Sequence, residues 1–152
     1  MSAIQHHSFD PALVSAVQGS FTPVMARADE VGRVFYETLF AADPSLRAMF
    51  PDDMARQRES LVDTLNVMVC ALDHLESVLP IARDLAVRHV GYGVRPAHYA
   101  LVGRALIQTL ETVLGPHAFD AYTRTAWRRT YGALAAVMLA AGYPEDAGGD
   151  PG

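Results

Sequence analysis

Three side chains of different chemistry fall on helix faces that are otherwise apolar. Tyr36 lies three before Leu39 and four before Phe40, Gln57 three after Met54 and four before Leu61, and His89 four after Leu85. Residues three or four apart share one face of a helix, so a phenol, an amide and an imidazole each point along a stripe suited to burial. A buried polar group has to find a hydrogen-bond or metal partner. Each of the three can be satisfied separately by a carbonyl or a water, or the faces of Tyr36 and Gln57 can be open to solvent. Alternatively, the three surround one cofactor. One imidazole, with Cys70 as the only cysteine and no His, Asp or Glu at ligand spacing, does not make a zinc site. An iron porphyrin needs only one axial imidazole, because the macrocycle supplies the remaining nitrogens.

The elements that must position these residues read with helical periodicity almost throughout. Asp10-Pro11 joins an N-cap carboxylate to a proline at the first helical position, and that helix is expected to run to about 25 with a kink at Pro23. A second is expected over about 29–42, burying Val31, Val34, Phe35, Leu39 and Phe40. Asp43-Pro44-Ser45 opens a short helix that stops near Phe50. Asp52 or Asp53 then caps a long one with the stripe Met54, Leu61, Leu65, Met68, Val69 and Leu72. The fifth is expected over roughly 78–90, with Pro80 in its first turn and Gly91 at its end. Pro96 opens the sixth, with Tyr99, Val102, Leu106, Leu110, Val113 and Leu114 on its stripe, and Gly115-Pro116 leads into the last. Alternating strand patterns and internal repeats are absent from the sequence. About seven helices with short connections give an all-α fold.

Composition narrows the function classes. The chain has 152 residues, 51% of them hydrophobic and 19% charged against about 25% in ordinary soluble domains, which excludes intrinsic disorder. One domain over 1–143 is expected, with a disordered acidic tail over 144–152. A net charge of −5 without a Lys/Arg block argues against nucleic-acid and anionic-membrane partners. The longest apolar run, 133–141, is far short of a membrane span. The single cysteine excludes an internal disulfide, and MSAIQHHSFD does not read as an export signal, so a cytoplasmic protein is expected. There is no G-x-S-x-G elbow and no P-loop. His6 and His7 precede the first helix. His74, His98 and His117 sit near helix ends or on polar faces and read as surface residues, and Cys70, beside Val69, as a small core residue.

The pieces FYETLFAADPSLRAMF, then Gln57 with Leu61, then LAVRHVGYGVRPAHYALVGRAL, then AWRRTYG are far more specific in this order than any one alone. With them, the stretch from about 34 to 138, about two-thirds of the chain, resembles a bacterial single-domain globin, similar to the haem domain of flavohaemoglobins. The resemblance implies a three-on-three helical sandwich around haem b, held without thioether bonds since there is no C-x-x-C-H. It implies that His89 is the iron ligand and that Tyr36 and Gln57 are the distal pair that hydrogen-bonds dioxygen. Phe50 corresponds to the phenylalanine lying flat on the haem, Leu61 to the apolar residue over the iron, and Tyr99 to the tyrosine beside the ligand histidine. Val102 and Leu106 correspond to contacts on the haem edge, and Leu85 and Val94, flanking His89, complete the implied cofactor wall. Arg88 and Tyr92 are placed to reach a propionate, with a solvated surface role as the alternative.

The ligands so implied are dioxygen, nitric oxide and carbon monoxide. Two donors on bound dioxygen imply high-affinity oxygen binding with slow release, which suits oxygen binding or scavenging better than oxygen transport by a carrier that must unload. The alternative activity is nitric oxide dioxygenation, which would need a separate reductase because no flavin or nicotinamide domain follows in this sequence. A monomer or a homodimer is expected. One departure from flavohaemoglobin-type globins concerns a glutamate near the end of the last helix, whose position falls at Gly142. Without it, His89 is expected to donate less electron density to iron.

Overall fold

Helix starts fall largely where the sequence supplies caps. Asp10 accepts the Ala12 N–H at 2.9 Å and opens α1 (Pro11–Ala26), which continues through Pro23 to its end. Helix α2 (Ala28–Ala42) ends at Asp43, whose carboxylate accepts the Ser45 N–H at 3.1 Å and starts a 3-10 segment, η1 (Pro44–Met49). Asp53 accepts the Ala55 N–H at 3.0 Å ahead of α3 (Ala55–Cys70). Then come α4 (Leu75–Gly91), α5 (Pro96–Ala118) and α6 (Ala121–Gly142), the last capped by Asp120 on the Thr123 N–H at 2.9 Å. The computed structural model describes residues 10–144, and among these there is no strand. The expectations for His6, His7 and the segment after Pro144 lie outside the described residues.

Three expectations differ in detail. Helix α4 begins at Leu75 rather than near 78, so Pro80 sits beyond its first turn. The missing N–H there leaves one carbonyl near the helix start without its intrahelical donor, at an exposed position where water can reach it. Cys70 is exposed, with its Sγ 3.5 Å from Asn66 Oδ1, because one residue past Val69 turns the side chain away from the buried stripe. The break expected at Gly115-Pro116 is present, with Gly115 at φ +81°, but the last helix starts only at Ala121 after its own cap, Asp120. The left-handed φ is one that glycine adopts without a steric cost.

The helices pack in two layers, α1, α3 and α4 over α2, α5 and α6. Helix α2 crosses α5 and α3, and α6 packs on both α1 and α4. The core runs between the layers through Val17, Val24, Val31, Phe35, Val62, Leu110 and Trp127. Trp127 donates its Nε1–H to Ser20 Oγ at 2.8 Å, tying α6 to α1. At the α2–α3 crossing the backbones come close, since a Cβ built on Gly32 would stand 2.9 Å from Arg58 Cβ. That approach sets the spacing between Tyr36, one turn after Gly32, and Gln57, the neighbour of Arg58.

Candidate functional site

A cavity of about 380 Å³ opens between α2, η1 and α3 on one side and the end of α4 with the start of α5 on the other. Tyr36, Phe50, Gln57, Leu61, His89, Tyr92, Val94 and Val102 all line it. The structure thus brings together the three polar residues that three separate helices present.

On the α2–α3 side, Gln57 donates an Nε2 hydrogen to Tyr36 Oη at 2.9 Å. The phenol accepts there, which leaves its own hydrogen free to donate. Its ring is held edge-on to Phe35 at 4.9 Å and to Phe50 at 5.5 Å, with Phe40 at 5.8 Å. Burial raises the Tyr36 pKa above its ordinary value of 10.0, against a smaller lowering by the Gln57 hydrogen bond, so the phenol stays a neutral donor at neutral pH.

On the opposite side, His89 Nδ1 lies 2.7 Å from the Leu85 carbonyl oxygen, within α4. A carbonyl only accepts, so Nδ1 carries the proton and the neutral ring keeps its lone pair on Nε2. That is the tautomer a metal-ligating imidazole needs. Tyr99 flanks the ring at 6.2 Å between centroids, and its hydroxyl is buried without a hydrogen-bond partner among the described residues. Burial above all, with Tyr143 adding to it, pushes the Tyr99 pKa up to about 12.

The missing glutamate has a structural counterpart. Gly142 lies against α4, where an added Cβ would stand 3.1 Å from Val90 Cγ2 and 3.4 Å from the Ala86 carbonyl oxygen. Its neighbour Tyr143 stands edge-on to Tyr99 at 6.4 Å and donates its hydroxyl hydrogen to the Val94 carbonyl. Among the described residues His89 hydrogen-bonds a neutral peptide carbonyl and no carboxylate.

Four expected contacts lie off the cavity wall. Leu106 is buried in the core and Leu85 packs against it from α4. Tyr99 stands behind His89 and lines a larger, more open cleft of about 720 Å³ between α5 and α6, which contains none of Tyr36, Gln57 and His89. Arg88 is exposed and paired with Asp84 through its Nε at 3.1 Å, so its guanidinium turns back along α4. Conversely, Phe35, Leu39, Leu46, Met49, Pro51 and His98 line the cavity without having been assigned to it. Phe35 and Leu39 are legible as buried positions of α2, but periodicity does not separate a core wall from a cavity wall. His98, read as a surface residue, is half-buried at the rim, because α5 begins directly against the cavity.

The donor set suits a planar metallomacrocycle better than a bare ion: among the described residues no three His, Cys, Asp or Glu side chains converge on a metal position. One imidazole with a free Nε2, apolar walls and a polar pair opposite it is the pattern that a haem pocket requires.

Comparison with known proteins agrees with this architecture. A helical sandwich packed around a pocket with a histidine-bearing helix on one wall is a globin-type arrangement. The profile described as Globin matches residues 33–138, and the chain belongs to the globin family. It is similar to the Flavohemoprotein of Bordetella parapertussis, at 31% identity over 130 residues, covering 83% of this chain and 32% of the relative. It is also similar to the Flavohemoprotein of Deinococcus radiodurans, at 29% identity over 151 residues, covering 93% and 36%. The chain spans about a third of the length of these curated relatives. A bacterial globin of known structure from Campylobacter jejuni superposes with a TM-score of 0.78 at 21% identity, covering 90% of this chain and 99% of that one. Globin membership implies a haem cofactor and small gaseous ligands. No helix among the described residues is long and apolar enough to cross a membrane.

Proposed function

We propose that this chain binds haem b through His89 and holds dioxygen reversibly and with high affinity under Tyr36 and Gln57. The observation that carries the reading is the hydrogen bond from Gln57 Nε2 to Tyr36 Oη at 2.9 Å, across the cavity from an imidazole whose Nε2 is free. Ferrous haem supplies reversible binding of diatomic gases and shifts electron density onto dioxygen.

The protein's own residues do the rest. The Leu85 carbonyl fixes the His89 ring and its tautomer, so Nε2 is the atom that would hold the iron. Phe50, Leu61 and Val102 line the cavity with apolar surface that excludes water. Gln57 orients the Tyr36 hydroxyl so that its hydrogen points to an acceptor in the cavity. A hydrogen bond to an acceptor bearing charge contributes about 1.5–3 kcal/mol, which favours an electron-rich ligand over a neutral one. His89, bonded to a neutral carbonyl, would donate electron density to a bound iron only weakly, which would favour holding dioxygen over cleaving it. Retention by this donor pair makes scavenging or storage a better use than delivery.

Nitric oxide dioxygenation in the cytoplasm, with a separate reductase, uses the same pocket, and the similarity to flavohaemoproteins supports it as the second reading. Stopped-flow mixing of the oxygen-equilibrated holoprotein with nitric oxide, with and without a flavin-dependent reductase, separates the two. One equivalent of nitrate without enzymatic re-reduction supports oxygen binding. Many equivalents, sustained by the reductase, support the dioxygenase.

A further inference from the structure

His98 is a polar group on the cavity rim to which the roles above give no task. It sits in the first turn of α5, half-buried, and its ring lines the cavity. Its Nδ1 accepts the Arg95 backbone N–H at 3.0 Å, and the Arg95 carbonyl accepts the His98 N–H at 2.9 Å. These reciprocal bonds pin the side chain to the start of the helix. A ring nitrogen that accepts from an N–H carries no proton, so the neutral ring holds its proton on Nε2. Among the described residues no group accepts from that nitrogen, and the ring makes its one hydrogen bond through Nδ1. The rim therefore presents a donor of fixed position and fixed tautomer.

Arg95 beside this donor supplies a positive charge toward an anionic ligand. Arg95 is exposed and Tyr92 lines the same rim, 66% exposed. Asp43 is the acid that feels both His98 and Arg95; its Oδ1 accepts from the Ser45 hydroxyl at 2.6 Å and the Ser45 N–H at 3.1 Å, which holds it at the start of η1 as a carboxylate. Arg88, which by its place in the sequence could reach a propionate or stay a solvated surface residue, is paired with Asp84 and lies off the cavity lining.

We infer that His98 Nε2 donates a hydrogen bond to a porphyrin carboxylate at the cavity rim, with Arg95 supplying the neighbouring positive charge. The inference rests on the haem-binding reading. It assigns the cofactor's acidic edge to the start of α5 and not to Arg88 on α4.

The test compares loss of hemin and of hemin dimethyl ester, whose carboxylates are capped, from the full-length protein to an excess of apomyoglobin. His98→Leu is expected to speed hemin loss about tenfold, as for one partly solvated hydrogen bond to a charged group. The same variant should change loss of the dimethyl ester by no more than about twofold, since an ester offers no charged acceptor. His98→Gln, which can still accept from Arg95 and still donate an N–H, should stay within about threefold of the wild type with hemin. Equal acceleration for both porphyrins would mean that His98 only packs or starts the helix, and no acceleration for either would mean that the carboxylate lies elsewhere. Both results overturn the inference. A wild-type protein that loses hemin as fast as His89→Ala would overturn the haem-binding reading itself.

Discussion

Replacing Tyr36 by phenylalanine removes one oxygen and leaves the ring in its contacts with Phe35, Phe40 and Phe50. The cavity wall keeps its shape, so the perturbation isolates the donor from the steric role of the side chain. Two hydrogen-bond roles are lost together: the hydroxyl no longer donates into the cavity, and Gln57 Nε2 loses its acceptor at 2.9 Å. The first loss weakens retention of an electron-rich ligand by about 1.5–3 kcal/mol, which corresponds to an oxygen dissociation rate faster by about 10- to 150-fold. The second works the other way. Gln57 is only partly buried, and its freed amide can turn toward the ligand, which places the expected change nearer the lower end of that range. Carbon monoxide carries little charge and should dissociate only about two- to fourfold faster, since a neutral acceptor gains little from the donor. Gln57→Leu should act in the same direction, and the double variant should fall short of additivity because the two side chains share one hydrogen-bond network. Displacement kinetics of both gases, side by side in wild type and Tyr36→Phe, give the ratio. Equal acceleration of oxygen and carbon monoxide would refute the reasoning, because it would show that Tyr36 governs access rather than donation.

His89→Ala should abolish the iron–imidazole Raman stretch of the ferrous holoprotein, and added imidazole should restore it; an unchanged stretch in the variant would place the ligand elsewhere. Gly32→Ala puts a Cβ 2.9 Å from Arg58 Cβ, and forcing α2 and α3 apart should cost about 1–3 kcal/mol in urea unfolding. Because the same crossing spaces Tyr36 from Gln57, that variant should also speed oxygen dissociation. The buried tyrosines predict an alkaline limit. Tyr99, pushed up to about 12 from 10.0, keeps its proton in the folded state where the unfolded chain has lost it. The folded state then binds more protons, so stability is intact below about pH 10 and falls between about pH 10 and pH 12. Denaturant midpoints measured through that window should fall less steeply in Tyr99→Phe than in wild type.

The all-α architecture and most element starts are legible in the sequence because capping is local. Asp10-Pro11, Asp43-Pro44 and the Gly115 break each act through bonds to residues a few positions away. Polar residues on apolar stripes are legible for the same reason, and they pointed to Tyr36, Gln57 and His89. The start of α4 is not legible from Pro80, because an exposed helix start tolerates a proline slightly beyond its first turn. Adjacency to Val69 does not bury Cys70, because one residue along a helix turns the side chain by about 100°.

Which residues are helical, and which polar side chains lie on apolar faces, follow from the sequence alone, since both depend on neighbours within a turn. Only the tertiary structure decided which of those side chains meet. Tyr36 and Gln57 are 21 residues apart in sequence and bond because two backbones approach at Gly32. Nothing in a local pattern marks a glycine as a crossing point. Likewise, His98 faces the cavity and Arg88 turns away from it because of how α4 and α5 pack on the rest, and Gly142 lacks a side chain where α6 meets α4. Periodicity assigns a residue to the buried face of its own helix, but the neighbour across that face is fixed by packing between helices distant in the chain.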